Sequence, residues 1–116
     1  MRFLLLVEAP ADAPSKRLEE RAAFHRELTR AGVLLDAALL APDGWRVEFR
    51  GARRAWVDGP RVAPARPIAG YTLVQVASSE EALEWCRRFP SPARTGAIEC
   101  RRVVELGAGL AGRISE

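Results

Sequence analysis

Apolar positions follow two spacings along this chain, and each change of spacing predicts a change of element. Residues 2–7 are almost continuously apolar, which is typical of a central strand covered on both faces. Residues 15–31 place apolar side chains at helical spacing, with Ser15 suited to cap the helix and Gly32 suited to end it. Residues 33–40 form a second apolar run, so the first third of the chain predicts strand, helix, strand.

The middle of the chain predicts a hairpin followed by a long loop. Residues 45–50 alternate apolar and polar side chains, the period of a half-buried antiparallel strand, and a turn at 51–53 leads into residues 54–57. A sharp Asp-Gly-Pro turn then opens a Pro- and Arg-rich loop over residues 61–67. A loop of that length inside a compact domain is expected to line a site or to cover a sheet edge.

The last third repeats the order strand, helix, strand. Residues 71–76 predict a strand, and Ser78 or Ser79 then caps a helix in which Glu81 completes a capping box with Ser78. Pro90 ends that helix.

A final strand over residues 97–104 closes the predicted domain, which spans residues 1–104. A Gly-rich tail over residues 105–116 is expected to be mobile. The order β-α-β, hairpin, β-α-β predicts an α+β fold of the ferredoxin-like plan, with two helices on one face of a mostly antiparallel sheet. The strands are too apolar for the sheet face opposite the helices to remain exposed to solvent. We therefore expect a second copy of the chain to cover that face in a homodimer.

Composition narrows the function classes. The chain has 116 residues and a net charge of +3, and its basic residues are scattered arginines with a single lysine. Because no stripe of arginine with interleaved aromatics is apparent, nucleic-acid binding is not expected. No apolar run reaches the roughly 20 residues of a membrane span, and the opening apolar run is too short for a secretory signal. We therefore expect a cytoplasmic protein with no membrane partner.

The sequence contains few residues that could bind a metal ion or a cofactor. His25 is the only histidine, and Cys86 and Cys100 have neither CxxC spacing nor a flanking histidine. The two cysteines are interpreted as buried small apolar residues in a reducing compartment. No Gly-rich phosphate loop follows the first strand. We therefore predict no metal site and no cofactor.

His25 and Asp36 are the first candidates for catalysis. His25 titrates near neutral pH and is predicted on the sheet-facing edge of its helix, where it could act as a general base or could be a partly buried histidine with one hydrogen bond. Asp36 is the one acid in the apolar run 33–40 and could be buried with a raised pKa, point to solvent or pair with an arginine. A catalytic interpretation joins them in a dyad, with Asp36 orienting the imidazole.

The remaining candidates lie near the long loop. Asp58 is a third catalytic candidate, although an aspartate before Gly-Pro also serves simply to stabilise a turn. Arg61 and Arg66 could bind an anionic substrate or only solvate the loop. Tyr71 is a candidate for the pocket wall, the core or the dimer interface.

The chain also resembles a known family, the YCII-related proteins of the DGPF-motif type. The resemblance extends from residue 1 to about residue 104, with the motif segments in order and correctly spaced. The segments that carry it are Phe24-His25-Arg26-Glu27-Leu28, Ala31-Gly32-Val33-Leu34-Leu35, Val47-Glu48-Phe49, Val57-Asp58-Gly59-Pro60, Ile68-Ala69-Gly70-Tyr71, Glu80-Glu81-Ala82-Leu83-Glu84-Trp85 and Ala97-Ile98-Glu99.

The resemblance implies a dimeric α+β barrel, and related barrels include cofactor-free lyases, isomerases and monooxygenases. Some members are linked by gene neighbourhood to alternative sigma factors. This chain departs from the family pattern at three positions. Arg61 replaces the last residue of the motif, Ala38 replaces a customary glutamate, and Arg21 stands where better-studied members carry an inward histidine. Arg21 joins the candidates for substrate binding.

Two functions of different classes follow from these patterns. The first is a homodimer that binds a small organic molecule, for which an anion is one candidate, and acts as a cofactor-free isomerase, lyase or cyclase by proton transfer. The second is a non-catalytic ligand-binding or regulatory module. The replaced glutamate and the missing earlier histidine favour the module, whereas His25 with Asp36 favours the enzyme.

Overall fold

A computed structural model of the chain shows an α+β fold with one four-stranded sheet, one separate hairpin and two helices. The structure describes residues 1–9, 15–58, 67–92 and 96–107. The described elements, in chain order, are β1 (Arg2–Glu8), α1 (Ser15–Arg30), β2 (Leu34–Leu39), β3 (Trp45–Arg50), β4 (Arg53–Asp58), β5 (Ile68–Gln75), α2 (Ser79–Arg88) and β6 (Ala97–Arg102).

The four-stranded sheet has the order β2-β5-β1-β6, and every neighbouring pair is antiparallel. Each β-α-β unit therefore leaves a gap of one strand between its two parallel strands, and a strand from the other unit fills that gap. This is the split β-α-β arrangement of the ferredoxin-like plan. The predicted α+β class is confirmed, and the described topology is compatible with the predicted protomer.

The core lies between the helices and one face of the sheet. Alternate residues of β1 and β5, including Leu5, Val7 and Val74, are fully or almost fully buried on that face. The two helices cover them with aromatic and aliphatic side chains, notably Phe24, Leu28, Trp85 and Phe89. Phe24 packs against Trp85 edge to face and tilted against Phe89, with ring centroids 5.9 Å and 4.8 Å away.

The predicted end of α1 and the predicted cap of α2 are confirmed. Gly32 follows α1 with a φ of 74°, a left-handed conformation that glycine adopts without steric cost. Ser78 is the N-cap of α2, and its side chain accepts a hydrogen bond from the Glu81 amide at 3.2 Å. The Glu81 carboxylate in turn accepts from the Ala77 amide at 2.9 Å, one residue earlier than in a standard capping box. The prediction that Ser15 caps α1 concerns a side chain outside the described residues.

Two predictions about strands need correction. The fifth strand begins at Ile68, three residues earlier than predicted, so Gly70 lies inside it. The first hairpin strand is predicted to be half-buried, but Trp45 and Phe49 are 71% and 66% exposed, since β3 and β4 form a sheet separate from the four-stranded one. The predicted loop at 61–67 and the predicted mobile tail lie almost wholly outside the described residues.

No helix in the described part of the chain is long and apolar enough to cross a membrane.

Candidate functional site

A cavity of about 220 Å³ lies between α1 and the edge strand β2. It is small compared with the roughly 300–1,000 Å³ of pockets for drug-sized ligands. One wall comes from successive turns of α1 and the other from the second half of β2. The lining residues are Leu18, Arg21, Ala22, His25, Ala37, Ala38 and Leu39.

Arg21 is the most unusual residue of this cavity. Only 8% of its surface is exposed, and no described residue forms an ion pair or a hydrogen bond with its guanidinium. A buried charge is normally paired, because removal from water costs several kcal/mol. Burial lowers the pKa of Arg21, but a guanidinium still remains protonated at neutral pH. The cavity therefore contains a permanent positive charge without a counter-charge among the described residues.

Gly70 on β5 leaves space for the guanidinium of Arg21, because it has no side chain. A Cβ atom at this position would lie 3.2 Å from Nη1 of Arg21 and 2.8 Å from the Ala38 carbonyl oxygen. The missing side chain thus lets the guanidinium approach β5 while β2 stays close alongside. Sequence reasoning did not assign Gly70 a role, although a glycine inside a strand is a recognised signal of close approach.

His25 lies one helical turn after Arg21 on the same cavity wall. Its Nε2 atom is 2.7 Å from Oγ1 of Thr72, which is fully buried in β5. Burial and the nearby charge of Arg21 lower the pKa of His25, and a hydrogen bond with the backbone of Arg21 partly offsets this. The imidazole is therefore mainly neutral at pH 7, and its contact with Thr72 fixes the position of the ring.

Asp36 lies on the opposite face of the sheet. Its Oδ2 atom accepts a hydrogen bond from the Tyr71 hydroxyl at 2.7 Å, and its Oδ1 accepts from the Ala37 amide at 2.9 Å. The hydrogen bond that Tyr71 donates to Asp36, followed by burial and the carboxylate charge, raises the pKa of Tyr71.

The proposed dyad of His25 with Asp36 is therefore not formed in this structure. Each side chain is bonded to a different residue of β5, and these two residues are adjacent, Tyr71 and Thr72. Adjacent residues of a strand point to opposite faces of the sheet. Sequence spacing could not reveal this, because it does not fix which face of β5 each partner meets.

Asp58 and Tyr71, two further candidates, are not among the described residues that line the cavity. Asp58 is exposed at the end of β4, opposite Trp45. Tyr71 lies on the open face of the sheet, bonded to Asp36. Arg61 and Arg66 lie outside the described residues.

The two cysteines lie close together on the helix side of the sheet. Both are free and partly buried, and both pack against the core. Burial, followed by the charge of Cys100 and a hydrogen bond with it, raises the pKa of the Cys86 thiol to about 12. Among the described residues, no three His, Cys, Asp or Glu side chains cluster as metal ligands.

Comparison with protein families matches residues 1–107 to the YCII-related domain. The chain belongs to the YCII-related family. The match covers every described element of the fold, including both walls of the cavity. A search of curated proteins finds no match.

Within this YCII-related protein, the structure brings Arg21 and His25 together and adds Gly70 and Thr72 as their partners on β5. Thr72 could not have been singled out from sequence, since a threonine in a strand is commonplace. The spacing of Arg21 and His25 by four residues was the available signal, because residues at i and i+4 share a helix face.

Proposed function

We propose that this YCII-related protein binds a small organic anion in the cavity between α1 and β2, with Arg21 as the counter-charge. The observation that carries the proposal is a largely buried arginine whose guanidinium lines the cavity without an ionic partner among the described residues. An anion in the cavity would offset the desolvation cost of that charge. The forked donors of a guanidinium match a carboxylate in particular.

The other cavity walls favour an apolar body on the same ligand. Leu18, Ala22 and Leu39 provide aliphatic surface, and Leu18 and Leu39 remain 39% and 57% exposed. A carboxylate attached to a small ring or a short chain would contact both the guanidinium and this surface. Burying the apolar part contributes about 25 cal/mol per Å².

Proton transfer by His25 is the second candidate function. Its neutral imidazole lies on the cavity wall and carries a basic nitrogen at neutral pH. To act as a base on a ligand, Nε2 would have to release its 2.7 Å contact with Thr72. Binding without catalysis requires no such rearrangement, so it is the function that the geometry supports better.

We further propose that the protein is a homodimer of the α+β barrel type. Leu4, Leu6 and Leu73 are partly exposed on the sheet face that no described helix covers. Leu4 and Leu73 are direct cross-strand neighbours, which makes the apolar surface continuous. The sheet face of a second copy would cover this surface.

Binding of benzoate, with benzamide as its uncharged analogue, tests the anion site. We expect calorimetry to detect benzoate binding and to show weaker binding of benzamide. Replacing Arg21→Gln should weaken benzoate binding by roughly 10- to 100-fold, the range of a charge-assisted hydrogen bond of about 1.5–3 kcal/mol. Arg26→Gln is the matched control, because Arg26 is an exposed arginine on the same helix.

Circular dichroism would verify that both variants are folded. Equal benzoate affinity in the Arg21→Gln and Arg26→Gln proteins would contradict the proposal. So would the absence of binding, at millimolar concentration, by benzoate, phenylacetate and hexanoate alike.

Exchange of the pyruvate methyl protons in D₂O tests the second candidate. A base in the cavity should accelerate this exchange above the buffer rate, and the acceleration should vanish in His25→Gln while pyruvate binding persists. Exchange at the buffer rate in the presence of bound pyruvate would leave binding as the function.

A further inference from the structure

The β3–β4 hairpin has one aromatic face. Cross-strand partners lie on the same face of a sheet, and the register pairs Val47 with Trp56 and Phe49 with Arg54. Since side chains alternate along a strand, Trp45 shares that face with Val47 and Phe49. Trp45, Phe49 and Trp56 are 71%, 66% and 79% exposed, so three large aromatic side chains face away from the described core.

The opposite face of the hairpin is charged. Arg46 forms an ion pair with Glu48 at 3.1 Å, and Arg50 lies 3.8 Å from the same carboxylate. Arg53 is exposed beside Arg50 at the turn. This face is suited to water, so the hairpin is amphipathic and its aromatic face is the one that lacks a cover.

The hairpin also lacks support from the main sheet. Its strands bond only to each other and form a separate two-stranded sheet within the described part of the chain. An isolated two-stranded hairpin is at best marginally stable in water. Burial of its aromatic face would stabilise it.

The aromatic face also carries two opposite charges, and their positions are complementary to the same face of a second copy. Arg54 lies near the turn, where its guanidinium stacks 5.1 Å from the centre of the Phe49 ring, and Asp58 lies at the other end, opposite Trp45. Arg54 and Asp58 are four residue steps apart along the strand, which corresponds to about 13 Å. A two-fold axis in the plane of the face and across the strands would therefore place Arg54 of each copy over Asp58 of the other.

We propose that the aromatic face of the β3–β4 hairpin packs against the same face of a second copy of the chain, in antiparallel orientation. This contact rests on the homodimer proposed above and shares its two-fold axis. It buries Trp45, Phe49 and Trp56 of both copies and pairs Arg54 of each copy with Asp58 of the partner subunit. An isologous contact of this kind is self-complementary and closes at two copies.

Charge reversal tests the contact. Light scattering at about 10 µM should give a mass of two chains for the wild type and of one chain for Arg54→Glu. Asp58→Arg should have the same effect and leaves the stacking of Arg54 on Phe49 intact, so loss of that stacking cannot explain the result. The double variant Arg54→Glu/Asp58→Arg restores opposite charges across the axis and should return the mass to two chains.

Arg53→Glu is the matched control, since it makes the same charge change at the neighbouring position on the charged face. It should leave the mass at two chains. A dimer that all of these variants leave unchanged would overturn the hairpin contact while leaving the homodimer in place. A monomeric wild type would overturn both the hairpin contact and the homodimer. If single-stranded oligo(dT) also quenched the tryptophan fluorescence of that monomer, the aromatic face would instead be a stacking platform for nucleic acid.

Discussion

The positive charge of Arg21 disfavours protonation of His25 in the cavity. The guanidinium is permanently positive and lies one helical turn before the imidazole, so it disfavours a second positive charge there. An anion bound to Arg21 would remove this repulsion. Because the chain has one histidine, the imidazole signals report this coupling without ambiguity.

We predict that nuclear magnetic resonance will show a His25 pKa below the ordinary value of about 6.5. Saturating benzoate should raise this pKa, since the anion neutralises Arg21. Benzamide is the control and should leave it unchanged. A pKa at or above 6.5 in the free protein would contradict the role assigned to burial and to Arg21.

The same shift predicts a pH dependence of stability. Unfolded chains bind the proton near pH 6.5, whereas the folded protein resists it until a lower pH. The contribution of His25 to the free energy of unfolding is therefore fully present above about pH 6.5 and is lost as the pH falls through the folded pKa. Urea titrations should show that His25→Gln lacks this loss. Identical pH profiles for the two proteins would contradict the prediction.

Single residues also show where sequence reasoning reached its limit. His25 was correctly placed on the sheet-facing side of its helix, because helical periodicity fixes which face a residue occupies. Its hydrogen-bond partner is Thr72 and not Asp36, the residue that a catalytic interpretation joins to it, because periodicity says nothing about which strand lies beneath the helix. Arg21 entered the candidate set through its position in a family motif, and only the structure shows that it is buried without an ionic partner among the described residues.

At the scale of elements, the close packing of α1, β2 and β5 determines where Arg21 lies in the cavity. The order of the elements and the antiparallel pattern followed from apolar periodicity and turn residues, which act locally. The close approach of Arg21 to β5 did not, since it depends on three elements that are distant in sequence. Gly70 is the point at which all three meet.

Replacing Gly70→Ala should therefore destabilise the protein by about 1–3 kcal/mol, the usual cost of an overpacked position. The new Cβ would lie 2.8 Å from the backbone oxygen of Ala38, which cannot move without shifting β2. It would also displace the guanidinium of Arg21, so benzoate affinity should fall as well.

Gly107→Ala is the control for this substitution, because a Cβ at Gly107 would meet nothing within 4 Å. Chemical denaturation of the two variants measures the difference. Equal stability of Gly70→Ala and Gly107→Ala would show that β2 and β5 are not held as closely as described.

The whole molecule presents two apolar surfaces that its own described elements leave uncovered. One is the sheet face around Leu4, Leu6 and Leu73, and the other is the aromatic face of the hairpin. Large exposed apolar patches mark interaction sites, because their contact with water is costly. One dimer with a single two-fold axis would bury both surfaces.

We therefore predict an assembly of twice the 12.7 kDa chain mass by light scattering at micromolar concentration. Leu73→Glu should dissociate it, since the charge would be buried at the centre of the sheet face beside Leu4. Gln75→Glu is the control, because Gln75 lies on the same face of the same strand, near its end, and is already exposed. If Leu73→Glu keeps the mass of two chains while the hairpin reversals abolish it, the hairpin alone holds the dimer and the barrel arrangement is wrong. A mass of four chains would mean that the two surfaces use different axes.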